Sequence, residues 1–367
     1  MCISALAALL RRSGMECSSD TVAWIRTLLT LVESAWASRA PTTGRQALMR
    51  SLFQRSVEAA VCEAVDFLLE QQDRDGFWRE FDLQPGASEA WTTAWVGWCL
   101  CRMMLRERAQ RARIRESCRR AAAALRDSRI VGGWGYNRRA GPDADTTSWV
   151  LRFLSACGFN IEPIVYLGPH VDSGGGVHTF RELDFGSWTD AHDDVAANAG
   201  LALLTASTSQ HLALRIRQRL VRRFPGKTYW WATPTYGVAW SLRFLTASGG
   251  LPHAIRSLAR NWIGNLPESV SSFEVAHRII AVVETAESRS SALPLINQLL
   301  DLARPNGWEG SSFLLVPPRG PENPSQPNPE VQGLLTTAIC ARVLSEWIDL
   351  PLPEPGPSKG QPRTTEC

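Results

Sequence analysis

The sequence predicts an all-α protein. Three observations carry the prediction: apolar residues recur at i, i+3, i+4 and i+7 along most of the chain, alternating apolar–polar strand patterns are scarce, and short glycine–aromatic segments interrupt the helical runs. Glycine lets the chain leave a helix, and the aromatic that follows can plug the junction between neighbouring helix pairs. The uneven spacing of these segments fits repeated helix hairpins rather than a strict solenoid.

The elements follow in order. Residues 1–40 form an N-terminal extension of one or two helices ahead of the main body. After Thr43, with Gln46 in capping-box spacing, Leu48, Leu52, Phe53, Val57, Val61, Val65, Leu68 and Leu69 trace a long amphipathic helix. A second helix from about Glu89 puts Trp91, Trp95 and Trp98 on one face. Further helical runs cover 111–129, 146–156, 195–206, 210–223, 236–247, 254–264, 273–287, 292–303 and 332–346. The punctuating segments are 75–78, 132–136, 174–180, 186–188 and 306–308. Residues 317–329 hold six prolines, Pro317, Pro318, Pro321, Pro324, Pro327 and Pro329, and read as an extended loop, and 351–367 read as a Pro-rich disordered tail. The main domain is therefore 41–350.

Composition narrows the function classes. Lys+Arg of 39 against Asp+Glu of 36 leaves a net charge of +3, which gives no global field for nucleic acid. Fifteen Trp against four Tyr make indole the favoured large aromatic. The nine cysteines form no C-x-x-C pair and read as buried free thiols of a reducing compartment. Arg11 and Arg12 follow the apolar first ten residues rather than precede them, the reverse of a secretory signal. No apolar stretch is long enough for a membrane span. The expected location is cytoplasmic, with peripheral membrane contact left open.

Two segments carry a family resemblance. Gln72, Asp75, Gly76 and Trp78 close the first long helix in the pattern Q-x-x-D-G-x-W. This resembles the QW motif of the triterpene cyclases, the prenyltransferase and squalene-oxidase repeat. The resemblance implies an α/α toroid in which such residues tie adjacent helix pairs together. Asp143, Asp145 and Thr146, in Asp-Ala-Asp-Thr, are similar to the D-x-D-D segment of squalene-hopene cyclases and class II diterpene cyclases. By that resemblance Asp145 is the general acid that protonates an alkene or epoxide and Asp143 its partner. Thr146 departs from the pattern, where the family carries another carboxylate.

The chemistry explains the need for such residues. Protonating a carbon–carbon double bond takes a strong acid in a dry pocket, and two crowded carboxylates share protons so that one stays protonated. Aromatic faces stabilise the cation that results, by about 0.5–2 kcal/mol each. Trp91, Trp95, Trp134, Trp149, Trp188, Trp230, Trp231 and Tyr236 are the candidate lining, and Asp145 and Trp149 share a helix face at i, i+4. Each has a plainer role open to it: Asp143 stands where an N-cap would, and a tryptophan stripe at helical spacing also suits a core.

A third segment gathers His192 with Asp190, Asp193, Asp194 and Asn198. His192 could orient an acid or bind a metal, and the acids could cap the next helix. Asp193 and Asp194 lack the final acid of the D-D-x-x-D/E magnesium element of class I prenyl synthases, so magnesium enters only as an aid to diphosphate binding. The zinc-binding pattern of the related protein prenyltransferases is missing too. No metal is assigned and the chemistry needs no cofactor. Arginine stripes at 102–120 and 215–223 read as solvated faces, and Arg138 and Arg139, beside the acid motif, are the candidates to hold a diphosphate.

The resemblance implies an isoprenoid substrate and a terpene cyclase or isomerase. The family's larger members have two barrels, and this chain has the length of one. Either a smaller isoprenoid fits one toroid, or a homodimer or second barrel subunit completes the pocket. A non-catalytic toroid binding an apolar ligand or a protein is the alternative, distinguished by a ring centre filled with side chains.

Overall fold

The computed structural model describes residues 42–348, apart from 84, 104–107, 182 and 317–324. The N-terminal extension, the Pro-rich tail and most of the proline loop lie outside the described residues.

Helices make up the molecule, as the periodicity predicts, and they fall into two kinds. Six are buried on every side: α2 (Ala90–Arg102), α4 (Ala144–Ala156), α6 (Asp193–Leu203), α8 (Pro234–Ala247), α10 (Ser272–Thr285) and α12 (Leu334–Ser345). Each packs on the next, and α12 packs back on α2, so the six close an inner ring. The outer helices are amphipathic: α1 (Thr42–Glu70), α3 (Arg108–Asp127), the short α5 (Pro163–Leu167), α7 (Gln210–Arg223), α9 (His253–Gly264) and α11 (Leu293–Asp301). In α7 only Leu212, Ala213, Ile216 and Leu220 are buried, one stripe against α6. This is an α/α toroid. The brief α5, too short to show a period, is absent from the sequence-based expectation.

The glycine–tryptophan segments join outer to inner helices by one repeated device. Trp78, Trp134 and Trp308 each send Nε1–H to an outer-helix carbonyl, that of Leu68 (2.6 Å), Leu125 (2.6 Å) and Leu299 (2.8 Å). Each backbone N–H then donates to a threonine one turn into the following inner helix: Thr93 (2.9 Å), Thr147 (3.0 Å) and Thr337 (3.1 Å). The hydroxyls donate back to the same tryptophans' carbonyls. Gly133 and Gly307, at φ of 137° and 112°, precede two of these tryptophans, and a Cβ at either would strike the threonine. Gln72 ties α1 to α3 by donating to the Ser117 carbonyl and accepting from its hydroxyl.

One carboxylate latches the ring and a second caps α12. Glu80, in β1 (Glu80–Leu83, paired with β2, Gly86–Ser88), accepts from the backbone N–H of Val331, Gln332 and Leu334. Glu330 accepts from those of Leu335 and Thr336. Both satisfy amides that a helix start leaves open, and both suit its positive end. Helix α12 therefore begins at Leu334, two residues after the start its apolar pattern predicts, because Gly333 turns the chain at φ 76°. The proline loop contributes Gln326–Pro327 (β4), paired antiparallel with Leu315–Val316 (β3).

The arginines of α3 and α7 lie on the outer layer. Arg113 pairs with Asp66 and Arg119 with Glu116, while Arg217 donates to the carbonyls of Leu245 and Gly250. No helix among the described residues is long and apolar enough to cross a membrane.

Candidate active site

The ring is filled at one end and open at the other. At the filled end Trp95, Trp149, Tyr236, Trp240, Phe273 and His277 pack ring on ring, for example Trp95 and Trp149 at 4.6 Å and Trp149 and Trp240 at 5.1 Å. Beneath them the guanidinium of Arg152 lies 4.1 to 4.7 Å from the Trp149, Trp98 and Trp240 rings and donates to Asn198 Oδ1 (2.7 Å). Asn198 donates in turn to the Tyr236 hydroxyl (2.9 Å).

At the other end, where the inner helices begin, a cavity of about 790 Å³ remains. Its size lies within the roughly 300–1,000 Å³ of small-molecule sites. Phe81, Trp91, Tyr136, Trp230 and Trp231 form one run of its wall, and Phe180, Phe185 and Trp188 another. Leu83, Pro85, Leu314, Leu315 and Val316 supply aliphatic surface. The charged residues of the described lining are Asp143, Asp145 and Arg139.

The first turn of α4 sets the acids. Asp143 is the N-cap: its Oδ1 accepts from the Thr146 N–H at 2.7 Å, and its own N–H donates to the Trp134 carbonyl at 3.0 Å. Asp145, two residues on, projects to the cavity, and its Oδ2 accepts from Trp91 Nε1 at 2.8 Å. Burial pushes Asp145 up to about 8, the neighbouring Asp143 adds to the rise, and Trp91 opposes it. Burial likewise raises Asp143, against the amides that hold it. The helix dipole alone would favour two carboxylates here; removal from water outweighs it, and the pair keeps a proton at neutral pH.

The third acidic segment is structural in its contacts. Asp193 pairs with Arg219 (3.3 Å) and Arg223 (3.1 Å). Asp194 accepts from the N–H groups of Tyr229 and Trp230, which sets Trp230 and Trp231 in the wall. No group of three or more His, Cys, Asp or Glu among the described residues is placed to hold a metal.

Several sequence-derived candidates lie elsewhere than expected. Trp95, Trp149 and Tyr236 sit a layer below the cavity, in the packed centre, because successive helical turns descend the ring axis. Trp134 is one of the tryptophans that tie an outer helix to an inner one. Arg138 turns outward to Glu89 (2.8 Å), leaving Arg139 on the lining. His192 stands behind Thr179 rather than on the cavity surface. Trp91, Trp188, Trp230 and Trp231 do face the cavity. Sequence reasoning missed Phe81, Tyr136, Thr179, Phe180 and Phe185; the available signal was their position, each in a segment leading into an inner helix.

No protein-family model and no curated protein matches the chain. Among solved structures it is similar to type II terpene cyclase MstE from Scytonema, with a TM-score of 0.69 and 23% identity over 80% of this chain and 98% of that one. An Asp-to-Asn variant of MstE in complex with its substrate, geranylgeranyl dihydroxybenzoate, gives a TM-score of 0.68 and 22% identity over 81% and 98%. A protein from Actinoplanes gives 0.66 and 24% over 78% and 98%. The two-layered ring, with its cavity at the starts of the inner helices, is a terpene cyclase-like fold.

Proposed function

We propose that the chain is a protonation-initiated, class II-like isoprenoid cyclase or isomerase in which Asp145 is the general acid. The observation that carries the reading is a carboxyl group held by one indole N–H, two residues from a second, buried carboxyl, facing an indole-rich cavity. Asp145 delivers its proton to a terminal double bond of the folded substrate. Asp143 helps keep the pair protonated and fixes the helix start. The faces of Trp91, Trp230 and Trp231 stabilise the cation while excluding water.

The mouth favours an isoprenoid whose head group is an aromatic ring bearing at most one negative charge. Phe180, Phe185 and Trp188 stack there, with Phe180 and Phe185 at 4.4 Å and 12°. Arg139 is the single cation of the described lining, whereas a diphosphate calls for several. The geranylgeranyl dihydroxybenzoate bound by MstE supports this choice.

The test is incubation with geranylgeranyl dihydroxybenzoate, geranylgeranyl diphosphate and squalene, comparing wild type with Asp145→Asn. Cyclised product from the first compound, lost in the variant by roughly 10²–10⁴-fold, is the expected result. Binding without turnover, unchanged in Asp145→Asn, would leave a ligand-binding toroid instead.

A further inference from the structure

Behind the cavity wall stands a hydroxyl–imidazole pair that the acid step does not use. Thr179 lines the cavity beside the acid motif, its carbonyl accepting from the Ala144 N–H at 2.9 Å. Its Oγ1 accepts from Trp230 Nε1 at 3.2 Å. Its other partner is His192 Nδ1, at 2.9 Å, which accepts the hydroxyl proton in the tautomer that carries the ring's own proton on Nε2. His192 is buried, its ring stacked on Tyr229 at 3.8 Å and 12°. Nε2 is buried and has no hydrogen-bond partner among the described residues, while the charge of Asp190 and the Ser187 backbone favour a proton on the ring. Burial pushes His192 down to about 4, so the ring is neutral and able to take a proton.

The geometry points to Thr179, backed by His192, as the base that ends the reaction by taking a proton from the last carbocation. This rests on the cyclase reading above. A C–H bond beside the cationic carbon breaks, and its electron pair becomes the second bond of an alkene. The proton joins Thr179 Oγ1 at its remaining lone pair, and the hydroxyl's original proton passes to His192 Nδ1. Asp145 has lost one proton to the substrate and His192 has gained one. The buried imidazolium releases it and Asp145 recovers one, so the protein ends the cycle unchanged. Thr179 is the catalytic group; His192, which acts through it, is a positioning residue.

The test uses Thr179→Val, which keeps the shape and removes the hydroxyl, Thr179→Ser, which restores it, and His192→Phe, which keeps a ring on Tyr229. Products from geranylgeranyl dihydroxybenzoate are separated and the ratio of the wild-type alkene to water-captured alcohol or other isomers is read. The Val and Phe variants are expected to lower that ratio about tenfold or more, and Ser to restore most of it. A wild-type ratio in Thr179→Val would overturn the proposal. Nitrogen NMR of the substrate-free protein gives an independent reading. A neutral His192 with Nε2 protonated is expected, and the opposite tautomer would sink the base while leaving the cyclase intact. Absence of turnover by the wild type would defeat both.

Discussion

Asp145 receives one hydrogen bond among the described residues, from Trp91, and burial together with the neighbouring Asp143 outweighs that bond in holding its proton. The acting form is the protonated one. Activity should therefore be full well below pH 8 and fall as pH rises through about 8, measured as kcat across a pH series. Trp91 favours the carboxylate, so Trp91→Phe, which keeps an aromatic ring beside Trp95, should move that alkaline limb to higher pH. An unmoved limb would mean that another group sets it. The place of Asp143 at a helix start was legible because a cap is a local fact, whereas Asp145 was singled out by the resemblance to the D-x-D-D segment. The wall was legible only in part. Trp95 and Trp149 share the helix faces of Trp91 and Asp145 respectively, yet a turn of helix carries each down into the packed centre.

At the scale of the elements, the glycine–tryptophan segments were readable as junctions, but their partners were not. The threonines that complete them occur in matching pairs, Thr92 and Thr93, Thr146 and Thr147, Thr336 and Thr337, each in the first turns of an inner helix. The second of each pair exchanges hydrogen bonds with a tryptophan backbone. This gives Thr147, just after the acid motif, a structural role, since it holds Trp134 to the helix that bears Asp145. Thr147→Val leaves the buried Trp134 N–H without its acceptor and should destabilise the protein by about 1–3 kcal/mol, seen as a lower urea midpoint. Thr147→Ser should recover most of the loss. Equal midpoints for wild type and Thr147→Val would show that the junction holds without this bond.

The whole ring depends on a contact that no local pattern announces, because Glu80 and the amides it holds are about 250 residues apart in the chain. The same carboxylate joins two parts of the cavity: β1 contributes Phe81 and Leu83 to the wall, and α12 closes the ring against α2. Hydrophobic contact between α12 and α2 alone would leave the buried Leu334 amide at the start of α12 without a partner, and would leave those of Val331 and Gln332, just ahead of it, to water. Glu80→Gln keeps the shape and one acceptor oxygen but loses the charge and at least one bond. It should cost about 2–3 kcal/mol, read from the urea midpoint, and should weaken binding of an apolar probe in the cavity in the same protein. Glu116→Gln, on an exposed face of α3, serves as the control and should leave the midpoint unchanged. If Glu80→Gln loses stability but binds the probe as the wild type does, the latch serves the fold alone; if it loses neither, packing of α12 on α2 closes the ring unaided.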